Sequence, residues 1–276
     1  MEFILEKIPI VEKEEIIKIP KSLKEKMKKA YPEFDDFNYK IIDRQTYHIK
    51  SVDLNTIFNE LIGKIISEYF KDKQNKSKII RKNYLNFYLI TENFLNFDSK
   101  YVQMDSGIFP NIQINENGQM DLSVLEQINI MNCNGKNYYV NEIDLNNLKY
   151  RLKVMIISDY IRKHSDRWYY NFLIEINDDY CKLAPLYDFE LSYQLFDEDL
   201  ENAFNFDLTN NETRNFIKND DQFQELLTLA MDLNMKKVFE QLFDEYPVIL
   251  TTEEQQVYED TITRKKEEIK RYKLIK

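Results

Sequence analysis

The 276-residue chain is 43% hydrophobic and 31% charged, a globular balance long enough for one large domain or two small lobes and unlike that of a disordered chain. Its 38 basic and 48 acidic residues leave a net charge of -10, and an acidic surface repels phosphate backbones, which disfavours direct nucleic-acid binding. Two histidines argue against a histidine-based zinc cluster, and four glycines, where average usage of about 7% would give roughly five times as many, argue against any glycine-rich loop.

In chain order, residues 1–21 read as strand or loop, broken by Pro9 and Pro20. Glu2, Glu6 and Lys7 interrupt the opening, so it does not read as a signal peptide. Ser22 is placed to cap a short basic helix with Leu23, Met27 and Tyr31 on one face, its lysines forming a solvated face. Residues 38–52 hold two short strand-like runs. The clearest helix covers 55–70, with apolar residues at 57, 58, 61, 62, 65, 66, 69 and 70, and Asp53 or Asn55 can cap it. Residues 79–91 read as a strand with Leu85, Phe87 and Leu89 on one face, and 92–118 as a connection. A short helix is expected over about 121–131 and a longer one over 145–163, facing inward with Leu145, Leu148, Leu152, Met155, Ile156 and Ile161.

After the polar run 164–171, Phe172 to Ile176 forms a strand, and a turn leads to a second strand ending in 183-LAPLYD-188. Beyond about residue 215 the pattern is helical, with Leu226, Leu227, Leu229, Met231, Val238 and Leu242 over 221–244 and a last helix started by the capping box Thr251 to Glu254. Cys133 and Cys181 fall in different segments and read as reduced thiols. No stretch approaches the ~18 apolar residues of a membrane span. A soluble, cytoplasmic protein is expected.

The chemistry concentrates in 164-HSDRWYYN-171 and 186-LYDFE-190. Phosphoryl transfer needs an oriented hydroxyl and divalent cations that neutralise phosphate charge. Asp166, just past a buried helix, can accept the hydroxyl proton. The amide oxygen of Asn171 and the carboxylate of Asp188 supply the hard oxygen ligands that magnesium prefers. The spacing is that of a His-x-Asp-(four residues)-Asn catalytic loop, followed after one hairpin by Asp-Phe-Glu where Asp-Phe-Gly is expected. Read singly, Asp166 with Arg167 is a common surface pair, Asn171 a turn cap and Asp188 a turn residue; the three together, in order, favour the catalytic reading.

Over 155-MIISDYIRKHSDRWYYNFLI-174 and 183-LAPLYDFE-190 the chain resembles the HipA-like serine/threonine kinases, and more distantly the phosphoinositide lipid kinases. That resemblance implies an α+β, two-lobed protein-kinase-like fold, with a small strand-rich N-lobe over 1–92 and a larger helical C-lobe over 93–276. It implies ATP and magnesium as cofactors, Asp166 as catalytic base, and Asn171 and Asp188 as metal ligands. Ile49 and Lys50 resemble the strand lysine that grips nucleotide phosphates, and Asn59 and Glu60 resemble the asparagine-glutamate of the family's N-lobe helix, with Glu60 to pair with that lysine. The run 90-ITENFL-95 resembles the hinge. A protein substrate, phosphorylated on Ser or Thr, is implied, and the family context adds a toxin–antitoxin or effector role with a cognate antitoxin or regulator.

Two departures stand out: Trp168 occupies a position where the family usually has His, and no glycine precedes Gly63. Lys40 competes with Lys50 for the phosphate role, and Glu60 borders the apolar stripe at Leu61 and Ile62, so simple boundary exposure is its other reading. His164 reads as a structural hydrogen-bonder, and Trp168, Tyr169 and Tyr170 as packing. The missing glycine loop keeps a second function open, a pseudokinase acting as a nucleotide-binding or protein-interaction module. A lipid or small-molecule kinase is a third.

Overall fold

The computed structural model describes residues 2–11, 16–31, 39–42, 45–51, 54–81, 87–103, 122, 125, 131–133, 136–138, 142–164, 173–177, 181–186, 189, 192, 206 and 208–276. In chain order the elements are β1 (Glu2–Phe3), β2 (Ile17–Lys18), α1 (Lys21–Ala30), β3 (Tyr39–Ile42), β4 (Gln45–Ser51), α2 (Leu54–Tyr69), β5 (Ser77–Arg81), β6 (Phe87–Glu92) and β7 (Lys100–Gln103). Then come β8 (Met131–Cys133), β9 (Lys136–Tyr138), α3 (Glu142–Arg162), β10 (Leu173–Ile176), β11 (Cys181–Leu183), α4 (Asn211–Asn219), α5 (Asp221–Asp232), α6 (Met235–Glu245), β12 (Val248–Ile249) and α7 (Thr252–Arg271).

The fold is α+β and two-lobed. Five strands in the order β2-β3-β4-β6-β5, all antiparallel, make the sheet lobe, and the helices α3 to α7 make the other. A smaller sheet, β11-β10-β7, lies beside the long helix α3. The first strand, β1, pairs with β12 from the far end of the chain, and Phe3 stacks near Phe58 of α2 and Phe87 of β6.

One hydrophobic core runs through both lobes, and α2 lies inside it. Ile57, Phe58, Leu61, Ile62, Ile65 and Ile66 are each no more than 3% exposed, so this helix is buried nearly all round, as a helix apolar on most faces must be. It packs on α3 and on α6.

Several sequence expectations need correcting. Residues 79–91 do not make one strand: β5 and β6 pair antiparallel, with Ile79 opposite Leu89. Leu85 lies outside the described residues. The connection over 92–118 contains β7, which pairs with β10 through Tyr101, whose side chain is fully buried. Residues 221–244 fall in two helices, α5 and α6. Leu233 leaves the helical conformation, Asn234 is extended, and the Asn234 side chain accepts the Lys236 N–H to start a new helix.

Ser22 sits inside the first turn of α1; Pro20 occupies the capping position and offers no side-chain bond. Asn55 is likewise already helical, and Asp53 lies outside the described residues. Most of the short helix expected over 121–131 is also outside them, and Met131 opens a strand. The last helix starts as its sequence indicates: Thr251 Oγ1 accepts from Glu254 N, and Glu254 reaches back to the Thr251 N–H.

Candidate active site

Residues 60 and 64 lie one turn apart on α2 and point to the same side. That side is polar, and it meets the sheet. Lys50 Nζ, on β4, lies 2.7 Å from Glu60 Oε1. Lys64 Nζ, nearly buried, donates to the Ser77 hydroxyl of β5 and to Thr91 Oγ1 of β6 at 3.1 Å. Ser77 and Thr91 are cross-strand partners whose hydroxyl oxygens stand 2.9 Å apart.

The Glu60 side chain is 4% exposed against 24% for Lys50. A carboxylate so enclosed has to be compensated, and the compensation fixes where the Lys50 ammonium sits. Lys40 lies on β3 opposite Tyr47. Burial pushes the Lys64 amine down to about 8, Lys50 pushes the same way, and Glu60 partly opposes both.

Asp166, Asn171 and Asp188 lie outside the described residues, as do Trp168, Tyr169 and Tyr170. Their flanks are described and are held tightly. Before Asp166, the last turn of α3 buries Arg162 completely; it pairs with Asp159 at 2.5 Å and donates to the Gly63 carbonyl of α2 at 3.1 Å. His164 N donates to the Asp159 carbonyl at 2.9 Å, and its ring Nδ1 lies 3.1 Å from Ser192 Oγ. Two residues after Asn171, β10 begins at buried Leu173.

The segment leading to Asp188 is anchored from α3 and from the turn after α2. Arg151 donates to the Leu183 carbonyl and, at 3.2 Å, to the Ala184 carbonyl, and it pairs with the buried carboxylate of Asp72. Asp72 also accepts the Leu186 backbone N–H; burial pushes its carboxyl up, against the pull of Arg151 and that bond.

Just past Asp188, Phe189 is fully buried against α2. A Cβ on Gly63 would stand 2.5 Å from Phe189 Cβ, so only glycine allows this approach. The Arg162 guanidinium lies 4.4 Å from the centre of the Phe189 ring. Asn59 Nδ2 donates to the Ser192 carbonyl at 3.1 Å. Both segments that carry the expected site residues are thereby fastened to the helix that carries Glu60.

Asp72, Arg151 and Arg162 escape sequence reasoning, because a charged side chain reads as a solvated one until its partners are known. Gly63 carried a signal: a lone glycine inside a strong helical pattern of a glycine-poor chain implies close approach by another element. Among the described residues no group of three His, Cys, Asp or Glu could hold a metal ion. The oxygen donors expected for magnesium, Asn171 and Asp188, fall outside that set.

A sheet lobe with a strand lysine paired to a buried helix glutamate, over a helical lobe, is a kinase-like fold, and it is the fold of the HipA-like kinases. The chain is similar over 83% of its length to the Helicobacter pylori proinflammatory kinase CtkA, covering 90% of that chain at a TM-score of 0.58 and 13% identity. It is similar over the same share to HipA of Shewanella oneidensis MR-1, solved with HipB and its operator DNA, at a TM-score of 0.57 and 13% identity. It spans 59% of that HipA chain. No family model matches the sequence, and no curated protein does. No helix among the described residues is long and apolar enough to cross a membrane.

Proposed function

We propose that the chain is an ATP- and magnesium-dependent phosphotransferase that moves the γ-phosphoryl group to a Ser or Thr hydroxyl of a protein. The observation that supports this most is the 2.7 Å pair between Lys50 and the buried Glu60 in a kinase-like fold. An ammonium held in place by a carboxylate is what nucleotide phosphates need from the sheet lobe. Glu60 orients Lys50, and Lys50 binds phosphate oxygens. Asp166 accepts the proton of the attacking hydroxyl. Asn171 and Asp188 offer oxygen ligands for the metal, which when bound neutralises the charge on the phosphates.

In this reading the protein works in the cytoplasm, with an N-lobe over 1–92 and a C-lobe over 93–276. The acidic surface makes a protein, rather than nucleic acid, its direct partner. The presence of HipB beside HipA in a similar structure makes a cognate antitoxin or regulator the partner to seek.

Transfer of label from radiolabelled ATP, to the chain itself or to a generic protein substrate, tests the proposal. Asp166→Ala should lose on the order of 10²–10⁴-fold in rate while still binding nucleotide. Equal transfer by wild type and variant removes Asp166 from its role.

The lack of any glycine before Gly63 supports a second reading, a pseudokinase that binds nucleotide or protein without turnover. A magnesium-dependent rise in melting temperature with ATP, without label transfer, would select it. A ligand at 100 times its Kd stabilises the native state by about 2.7 kcal/mol.

A further inference from the structure

Asn59 precedes Glu60 on α2 and is half-buried. Its two amide atoms face different partners. The Nδ2 group donates to the Ser192 carbonyl at 3.1 Å, and Oδ1 accepts from the Tyr258 hydroxyl of α7, also at 3.1 Å. A carbonyl can only accept, so the Ser192 side fixes which end of the amide donates and leaves the oxygen for Tyr258.

Ser192 carries the connection onward. Its N–H donates to the Phe189 carbonyl at 3.1 Å, and its hydroxyl lies 3.1 Å from His164 Nδ1. Ser192 and His164 are 1% and 4% exposed, so water does not compete for these bonds. Phe189 follows Asp188, and His164 stands two residues before Asp166. Four side chains from distant parts of the sequence therefore join the last helix, the Glu60 helix and the ends of both site segments.

We propose that Tyr258 is a positioning residue for phosphotransfer: through Asn59 and Ser192 it holds the Glu60 helix in fixed relation to the segments carrying Asp166 and Asp188. This rests on the phosphotransfer reading above. Burial alone does not call for the hydroxyl. The Tyr258 ring packs edge-on to Phe239 with centroids 6.2 Å apart, and a phenylalanine would fill that place equally well. Burial also pushes the phenol up, so the group remains a donor across the neutral range.

Tyr258→Phe removes only the donor. In a radiolabelled ATP assay with magnesium, kcat should fall about tenfold and KM for ATP should change less than about twofold. Asn59→Ala should lose at least as much, and the double variant no more than Asn59→Ala alone, because links in series do not add. Unchanged kcat in Tyr258→Phe, or additive losses in the double variant, would overturn the proposal.

A second readout needs no activity. The chain has two histidines. In protein labelled at the imidazoles, with His48 assigned by a His48→Gln variant, Tyr258→Phe should shift the His164 ring resonances and leave those of His48 in place. An unmoved His164 ring breaks the relay. A wild type that transfers no label but shows the shift sinks the phosphotransfer reading, and the positioning role with it, while the hydrogen-bonded chain itself stands.

Discussion

Helices α2 and α6 pack on each other in one core, yet they bury different things. On α6 the buried residues are Met235, Val238, Phe239 and Leu242, with every charged side chain left at the surface. On α2 the apolar stripe is interrupted by Glu60, Lys64 and Ser67, all less than 7% exposed. Taking a charge out of water costs several kcal/mol unless it is paired, so α2 is the less economical way to build a core. Its charges are compensated by groups of the sheet, Lys50 on β4, Ser77 on β5 and Thr91 on β6. α6 contributes stability, whereas α2 spends some of it on holding an ammonium at a fixed point. The difference teaches where substitutions should affect folding alone and where they should also affect chemistry.

The comparison breaks most visibly at Leu242, which is fully buried on α6. Leu242→Ala should cost about 2–5 kcal/mol through lost burial and the cavity left behind. Chemical denaturation would measure it. The phosphotransfer rate at a temperature where the variant is still folded should stay near that of wild type. A tenfold loss there would show that α6 is not a passive support.

Lys64 tests the other side. Its amine sits at about 8 in the folded protein against 10.5 for an ordinary lysine, with burial as the main cause. Between those values the unfolded chain binds the proton that the folded chain has lost, so stability rises with pH across that window. The gain approaches ~3 kcal/mol at the upper end. Lys64→Met should lack this rise, and stability against pH from about 7 to 10.5 in both proteins would show it. The difference between the two curves is the quantity to read, because burial pushes the phenols of Tyr160, Tyr246 and Tyr258 up and these oppose the trend near pH 10 and above. Parallel curves would mean that Lys64 keeps its charge at little cost.

Gly63→Ala sharpens the contrast further. Alanine favours a helix over glycine by about 1 kcal/mol. Here its methyl would meet Phe189 Cβ at 2.5 Å and Arg162 Nη1 at 2.8 Å. The clash should win, with a net loss of about 1–3 kcal/mol. Because Phe189 adjoins Asp188, kcat should also fall, which the α6 substitution does not cause. A stabilised, fully active Gly63→Ala variant would show that Phe189 can move aside freely.

Much of this frame was legible in the sequence because it depends on local patterns. The periodicity of α2 and α3 and the capping box of α7 are short-range signals, whereas Lys50 and Glu60 were singled out by resemblance to a known family. The breaks were harder to see. Ile79 to Thr91 reads as one strand because Ile79, Ile80 and Phe87 to Thr91 are all strand formers, yet they belong to two strands that pair antiparallel. The site's supports were hidden by distance: Tyr258 and Asn59 are 199 positions apart, and Arg151 and Asp72 are 79. Nothing in either neighbourhood announces its partner. Where the sequence does hint at such an approach, it does so through an absence, the missing side chain of Gly63.

The smallest effect is expected where the two kinds of helix meet. α7 starts with a reciprocal cap, Thr251 to the Glu254 N–H and Glu254 to the Thr251 N–H, and carries Tyr258 less than two turns further on. The cap satisfies two backbone donors that the first turn of a helix leaves open. Its value is local, and Thr251→Ala should cost about 1 kcal/mol. In a chain of this size the melting temperature should then fall by no more than about 2–4 °C. The helix is also held by Tyr258, Thr261, Ile262 and Ile269, which are buried, so loosening its first turn should not move the Tyr258 hydroxyl. Thr251→Ala should therefore lower melting temperature with kcat unchanged, and Tyr258→Phe should lower kcat with little change in melting temperature. Thermal melts and label transfer on the same two preparations decide it. If Thr251→Ala loses activity in proportion to its loss of stability, α7 acts on the site as a whole body, and the separation between supporting and positioning residues along this helix fails.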